Sequence, residues 1–422
     1  MNQKEIQAQA SCMDDFDPDS LSADIALQKI LDEITPIQGT EKLSLRAALD
    51  RVLAEDVHSS VNVPSQINSA MDGYAVVGSD LPETGTRELK VVGTVFAGNP
   101  LNQEITSGNC ARIMTGGVMP DGTDTVVIQE RTERDGDVIR IGADTRPGDN
   151  VRQAGEDIAV GDMILAKGTR LTPADLGLIA SLGIGEVMVT RKPRVAFFST
   201  GDELQSIGES LKKGNVYDSN RYTLHGMLTR LDAELIDMGV IRDVREDLEK
   251  AFNEAASYAD VVITSGGVSV GEADYVKEIL SRLGRVNFWK VAIKPGRPLA
   301  FGKLNNAWFF GLPGNPVSVM VTFYQFVQPA LHKLMGRQYL QPLTTKATCQ
   351  SKLKKRAGRV EYQRGILEKD ETGRLVVHKT GAQGSGILSS MSQANCFIIL
   401  PMESEGVQPG TEVEVQPFFG IV

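Results

Sequence analysis

The stretch from Val261 to Pro316 limits the fold more than any other part of the chain. A short apolar run, Val261-Val262-Ile263, ends at Thr264 and is followed by SGGVSVGEAD, Ser265 to Asp274. Beyond it, Val276, Ile279, Leu280 and Leu283 recur at helical spacing until Gly284, which predicts a helix with one apolar face. Strand, glycine loop and helix in that order present backbone N–H groups to an anion at the helix N-terminus. KPGRP (Lys294 to Pro298) and LPGNP (Leu312 to Pro316) then add basic side chains and sharp turns beside further strand-like runs.

What the loop lacks narrows the chemistry. Gly266 and Gly271 satisfy the first half of a Walker A pattern, but Glu272-Ala273 stand where Lys and Ser or Thr belong. The spacing is not G-x-G-x-x-G either, so a P-loop kinase and a dinucleotide fold are both disfavoured. A lone glycine loop is more often an ordinary tight turn than a ligand site. Asp274 changes the balance by placing a carboxylate at the helix start, among N–H groups that attract anions. It is either a simple cap or one side of a metal ion bridging carboxylate and phosphate.

The same alternation extends upstream. Val195 to Phe198 is strand-like and leads into STGDEL (Ser199 to Leu204). Asp218-Ser219-Asn220 is a cap for a helix with face Leu224, Met227, Leu228 and Leu231. Glu234 to Val240 is a strand ending in IRD, and Leu248, Ala251, Phe252 and Ala255 mark another helix. Phe288 to Ile293, Leu299 to Phe301 and Trp308 to Phe310 supply more strands, and Asn315-Pro316 starts a long apolar helix through Val327. Strand and helix in turn predict a doubly wound parallel α/β domain over 191–340, with ligands outside the carboxyl ends of the strands. Glu203, Asp243 and Asp274 all follow strands and are expected on that rim.

The flanks differ in pattern. Met1 to Ser20 is polar and acidic, a disordered tail by composition. Ser22 caps a helix with face Leu27, Ile30, Leu31 and Ile34. Thr172-Pro173 starts a helix that ends at Gly183. A connecting domain is therefore expected over 21–58 and 158–190, with a β-rich domain at 59–157 in which Asp135-Gly136 turns a hairpin. After Gly336 helical spacing disappears, and 341–422 is expected to be a small β-barrel or sandwich with a hairpin at Thr372-Gly373. The fold class is thus α/β plus β, multidomain.

Composition excludes several functions. Lys and Arg number 44 against 54 Asp and Glu, a net charge of −10, which argues against nucleic acid as the main partner. Cys12, Cys110, Cys349 and Cys396 lie far apart, so neither a zinc ribbon nor a disulfide framework is indicated. His58, His225, His332 and His378 form no H-E-x-x-H. Without a membrane-length apolar run or a basic apolar leader, a cytoplasmic, reduced location and no membrane partner are expected.

SAMDGYAV, RIMTG, GEDI, STGDEL, the DSN helix start, TSGGVSVGEADY, FWKVAIKPGRP, GLPGNPVSVMVTF and EYQRG occur in one order from about Ser22 to the C-terminus. Together they resemble the molybdopterin molybdenumtransferase (MoeA) family, related to the E domain of gephyrin. The resemblance implies insertion of molybdate, the substrate, into adenylylated molybdopterin with release of AMP, assisted by Mg²⁺. It implies an elongated four-domain homodimer whose sites form between subunits, with a C-terminal β-barrel. By the same resemblance Lys290, Lys294, Arg364 and Ser385 bind molybdate. Asp243 and Asp274 bind magnesium and the phosphate end, and Glu203 positions the pterin or a water. Lys290 and Lys294 flank a short strand and can converge on a tetrahedral dianion.

Asp72 and Thr115 are implied to reach the neighbouring subunit's site. Ser265, Gly266, Gly267, Ser269, Gly271, Pro313, Gly314 and Asn315 supply the remaining substrate contacts. Arg297 stands where relatives also carry Lys; it keeps the charge but not the geometry, and is left outside the catalytic set. One glycine loop without a P-loop Lys further implies a separate molybdopterin adenylyltransferase as supplier, with molybdoenzymes as acceptors. Two other functions compete. A gephyrin-type scaffold would have no use for Asp274, Lys290 and Lys294, and a nucleotide hydrolase leaves SAMDGYAV and RIMTG unexplained.

Overall fold

The computed structural model describes residues 20–267, 274–337 and 341–418, without the side chains of Asp274 and Tyr275. The acidic tail, Ser269 and Gly271 lie outside the described residues. The chain divides into two compact units, one of residues 42–189 and one of residues 1–41 with 190–422. No described helix is long and apolar enough to cross a membrane.

Unit 42–189 holds a six-stranded sheet in the order Thr125–Ile128, Gly73–Val76, Asn109–Ile113, Thr86–Val95, Val138–Gly142, Thr132–Asp135. Gly136, at φ 56°, makes the tight hairpin between the last two. Alternation splits the apolar residues between two faces, Tyr74, Val76 and Val127 on one and Ala75, Ala111 and Val126 on the other. The Pro173–Ser181 helix begins with a reciprocal cap: the Thr172 side chain accepts from the Asp175 amide, and Asp175 accepts from the Thr172 amide.

In the other unit, a six-stranded sheet runs Glu234–Ile241, Arg194–Thr200, Val261–Ser265, Ala307–Leu312, Pro298–Leu304, Gly284–Lys290. The first four strands are mutually parallel. The last two are antiparallel additions, so the sheet is mixed rather than parallel throughout. The cause is local. Asn305, at φ 50°, folds a tight hairpin between Leu304 and Ala307, and a hairpin reverses direction where a helical crossover would preserve it. The strand expected over 288–293 is also divided: Gly284–Lys290 stays in this sheet, while Ile293–Lys294 pairs with the barrel.

Both faces of the sheet are covered. Val195, Phe197, Val261 and Ile263 pack with the Ala23–Glu33, Asn220–Arg230 and Pro316–Thr322 helices; Ala196, Phe198 and Val262 pack with Arg245–Tyr258 and Asp274–Leu283. The helix after Asn315 is not uniform. It widens to a π turn over Phe323–Val327 before resuming at Gln328–Leu334. Pro329 has no N–H to give and crowds the carbonyl four residues back, which the wider turn relieves.

The C-terminal strands Val360–Lys369, Leu375–Lys379, Thr345–Cys349, Glu412–Pro417 and Cys396–Leu400 pair in that order and close on themselves. This is a five-stranded barrel filled by Val377, Cys396, Ile398, Leu400 and Val415, not a sandwich. Burial pushes the Cys396 thiol up to about 12, so it is apolar filling rather than a nucleophile.

Candidate active site

In the α/β sheet the strand order reverses between Arg194–Thr200 and Val261–Ser265. Their carboxyl ends therefore frame a crevice, since the two crossovers leave in opposite directions. Gly266 (φ 93°) and Gly267 (φ 68°) turn the chain there in a conformation that only glycine adopts freely. A Cβ on Gly266 would lie 2.5 Å from the Thr200 carbonyl oxygen, and one on Gly267 would lie 2.9 Å from Thr200 Oγ1. Bare backbone is thus forced to the crevice by both torsion and space.

Asn220 ties the loops together. Its Nδ2 donates to Ser265 Oγ (2.7 Å) and to the Gly314 carbonyl (2.6 Å). The DSN segment is more than the helix cap expected of it. Ser219 at the N-cap makes no side-chain capping bond; Asp218 accepts from the Arg221 amide (3.2 Å) and from Ser199 Oγ (3.0 Å). Thr200 Oγ1 and Asn220 Oδ1 are buried with no hydrogen-bond partner among the described residues. Such atoms are costly unless a ligand satisfies them, and both face the crevice loops.

Of the sequence-predicted residues, the structure brings Ser265, Gly266, Gly267, Pro313, Gly314 and Asn315 to this crevice. Glu203 and Asp243 are exposed on the loops after neighbouring parallel strands, and the Asp243 amide donates to Asp202 Oδ1 (3.2 Å). Asp274 is the first residue of its helix. Among the described residues, no three metal-type side chains cluster. One or two carboxylates at a phosphate site nevertheless suit Mg²⁺, which completes its shell with water and substrate phosphate.

The cations come from two directions. Lys290 ends its strand, and its carbonyl accepts from the Leu21 amide (2.8 Å). Lys294 pairs in register with Glu361 of the barrel, and its Nζ lies 3.4 Å from that carboxylate. Arg364 is 1 % exposed; its Nε donates to Ser390 Oγ (3.0 Å) and one terminal nitrogen donates to the Gly384 carbonyl (3.0 Å). Burial pulls this guanidinium down to about 10, with the Glu361 charge acting in the opposite sense. Ser385 is joined to the α/β domain by its carbonyl, which accepts from the Val317 amide (3.0 Å). Glu361 and Arg364 are three residues apart, so alternation sends them to opposite faces of the strand.

Asp72 and Thr115 belong to unit 42–189 and hold each other. Asp72 Oδ1 accepts from the Thr115 amide (2.7 Å) and hydroxyl (2.8 Å), and these bonds hold its carboxyl below the usual range. Sequence reasoning missed Thr200, Asn220, Asp202 and Glu361. STGDEL and DSN did mark the right loops, but nothing in them separates a cap from a ligand group. EYQRG likewise holds Glu361, but nothing in that motif gave this residue a role of its own.

These features define a class: an α/β domain with a glycine turn at its strand ends, joined to a small barrel that carries buried charge. Residues 21–183 match the MoeA N-terminal region (domain I and II), 196–333 a probable molybdopterin binding domain, and 346–418 the MoeA C-terminal region (domain IV). A molybdopterin molybdenumtransferase from Haemophilus influenzae is 48% identical over 400 residues, spanning 94% of this chain and 98% of that protein. Gephyrin from Dictyostelium discoideum is 34% identical across 93% of this chain and 61% of its own length. The crystal structure of a molybdopterin biosynthesis moeA protein from Pyrococcus horikoshii superposes with TM-score 0.82 at 33% identity, covering 94% of this chain and 100% of the other. The chain belongs to the molybdopterin molybdenumtransferase family.

Proposed function

We propose that this protein inserts molybdate into adenylylated molybdopterin, releasing AMP and leaving the molybdenum cofactor. The observation that carries this reading is the junction of crevice and barrel within one unit, made by the Val317 amide and the Ser385 carbonyl. It sets a phosphate-binding turn next to a segment with a buried guanidinium, which is what a phosphoanhydride and a tetrahedral dianion together require.

In this reading Ser265, Gly266, Gly267, Ser269, Gly271 and the Pro313–Asn315 turn receive the phosphate side of the substrate. Lys290, Lys294, Arg364 and Ser385 receive molybdate and hold it near the dithiolene, so that insertion gains from proximity. Glu203 positions the pterin or a water. Asp243 and Asp274 would hold Mg²⁺, which when bound offsets the charge of the phosphoanhydride. The lysines supply further positive charge as AMP leaves, and no covalent enzyme intermediate is needed. No observation favours a non-catalytic scaffold.

We further infer a cytoplasmic homodimer of four-domain chains, in which Asp72 and Thr115 of one copy serve the neighbour's site. A separate adenylyltransferase supplies the intermediate, and molybdoenzymes accept the product. The decisive test supplies purified protein with adenylylated molybdopterin and measures AMP with and without molybdate. Molybdate-dependent release supports the reading; release that ignores molybdate ends it. For the dimer, mixing Asp72→Asn and Asp274→Asn chains should restore part of the activity in verified heterodimers. No recovery would exclude the shared site.

A further inference from the structure

The molybdate residues proposed above have a neighbour, the first residue of EYQRG, to which the resemblance gave no role. Glu361 is 5 % exposed, which is unusual for a carboxylate inside a strand. Its two oxygens both lie 3.4 Å from Lys294 Nζ, and Gln363 Nε2 donates to Oε1 at 3.0 Å. Gln363 is itself anchored by donating to the Lys354 carbonyl (3.0 Å). Register fixes the pair: Ile293 sits opposite Val360 and Lys294 opposite Glu361, in a two-residue parallel bridge from the α/β domain to the barrel.

The two partners differ in freedom. The Lys294 side chain is 46 % exposed and the Glu361 side chain 7 %. Glu361 is therefore the fixed member and Lys294 the one that moves. A lysine with a free ammonium samples many rotamers, and ordering it on an incoming anion costs side-chain entropy. A buried carboxylate behind the ammonium lowers that cost by ordering the lysine in advance. One carboxylate at 3.4 Å does not saturate the three donors of an ammonium, so the solvent-facing N–H groups stay available.

We infer that Glu361 is a positioning residue, which holds the Lys294 ammonium in place for the oxyanion. The inference rests on the proposed role of Lys294 in binding molybdate. Two simpler roles are conceivable for Glu361. As a mere strut between domains, it would affect melting but not molybdate use once the protein is folded. As a competitor for Lys294, it would weaken molybdate binding, and its removal would tighten it. Pre-ordering predicts the reverse.

The test measures AMP release from adenylylated molybdopterin across molybdate concentrations, alongside equilibrium dialysis of labelled molybdate. Glu361→Gln keeps the shape and removes the charge. Its KM for molybdate should rise about tenfold, the scale of a hydrogen bond to a charged group, while kcat at saturating molybdate changes by less than about threefold. Glu361→Asp keeps the charge one methylene short and should fall between Gln and wild type, which supplies the test if the Gln protein does not fold. In a Lys294→Ala background, Glu361→Gln should add less than about a twofold effect, because the residue through which it acts is gone.

An unchanged or lowered molybdate KM in Gln and Asp overturns the inference. So does an effect of full size without Lys294. Wild-type protein that releases no AMP with molybdate would count against the proposed function instead. Dialysis of wild-type and Gln proteins would still decide the part played by Glu361.

Discussion

The α/β sheet and the barrel supply one candidate site with opposite kinds of group. At the crevice itself the sheet sets uncharged atoms, the Gly266 and Gly267 backbone, Ser265, and the Asn220 amide that ties Ser265 to Gly314, with Glu203 and Asp243 exposed on the loops beside it. The barrel contributes charge from the middle of a strand, Glu361 and Arg364, both almost wholly buried. Loops at strand ends adapt to a large substrate more readily than strand interiors do, and the orphaned Thr200 hydroxyl and Asn220 amide oxygen gain a partner when one binds. Mid-strand charges are rigid and dry, which suits a small dianion of fixed shape but makes each one expensive to disturb. The comparison teaches that damage to the barrel side should harm fold and function together. Damage to the sheet side should separate them.

The largest effect is expected at Arg364. Arg364→Met removes the donors to Ser390 Oγ and Gly384 O and leaves Glu361 with one cation fewer. Leaving those buried acceptors unpaired costs roughly 1–3 kcal/mol of stability each. Loss of a charged donor at the reacting centre should cut molybdate-dependent AMP release by about 10²–10³-fold. Chemical denaturation and the AMP assay check the two parts. Arg364→Lys should recover charge but little activity, because an ammonium cannot reproduce the planar fork. A stable, active Met variant would break the contrast between barrel and sheet.

Lys294→Ala comes next and sharpens the comparison, since this side chain straddles the two regions. Its own side chain is 46 % exposed, but its loss leaves the buried Glu361 without that ammonium, so the melting temperature should fall modestly, by less than in Arg364→Met. Its charge should still matter to molybdate, with a KM raised by roughly ten- to a hundredfold and unaltered affinity for the adenylylated pterin. Equal losses for both ligands would place Lys294 outside the oxyanion site.

Gly266→Ala probes the sheet side. A methyl group at φ 93°, 2.5 Å from the Thr200 carbonyl, has to displace the loop. The strain is about 1–3 kcal/mol and falls on the crevice. AMP binding, followed by calorimetry, should weaken at least fivefold while molybdate binding by dialysis is kept. Loss of both together would mean that sheet and barrel are not separable.

The same contrast explains what was legible in the sequence. The α/β elements announce themselves because each helix shows one apolar stripe and each strand an apolar run, as at Leu248 to Ala255 and Val261 to Ile263. Gly266 and Gly267 were legible because their torsions exclude other residues. The antiparallel end of the sheet was not, because its cause is one Asn305 turn that resembles any polar loop. Closure of the barrel depends on pairing between strands distant in sequence, such as Thr345–Cys349 with Leu375–Lys379 and Glu412–Pro417, and no local pattern encodes it. Arg364 and Ser385 were found only through family resemblance. Glu361 was not singled out within EYQRG because a charged residue in a strand normally faces water, and only its burial and its register with Lys294 show that this one does not.

The smallest effect should come from a barrel charge that is only partly buried, which tests burial as the cause of the others. Asp370 sits in the Thr372-Gly373 hairpin, where its Oδ1 accepts from the Thr372 hydroxyl (2.6 Å) and amide (2.9 Å) and from the Arg374 amide (3.0 Å). The Thr372 hydroxyl, and then the Arg374 amide, hold its carboxyl down to about 2. A carboxylate that is more acidic folded than unfolded binds protons less readily in the folded chain. Its contribution to stability is therefore complete above the ordinary aspartate value of about 4 and is lost as pH falls through about 2. At neutral pH Asp370→Asn keeps an acceptor for the same turn but removes the charge that favours the folded hairpin, so it should melt slightly below wild type. Between about pH 4 and pH 2 the wild-type hairpin should loosen while the Asn variant does not, as read from amide exchange at Gly373. AMP release should be the same in both proteins at neutral pH. A large loss of activity in Asp370→Asn would show that charge anywhere in the barrel serves the site, and burial would no longer distinguish Arg364 and Glu361.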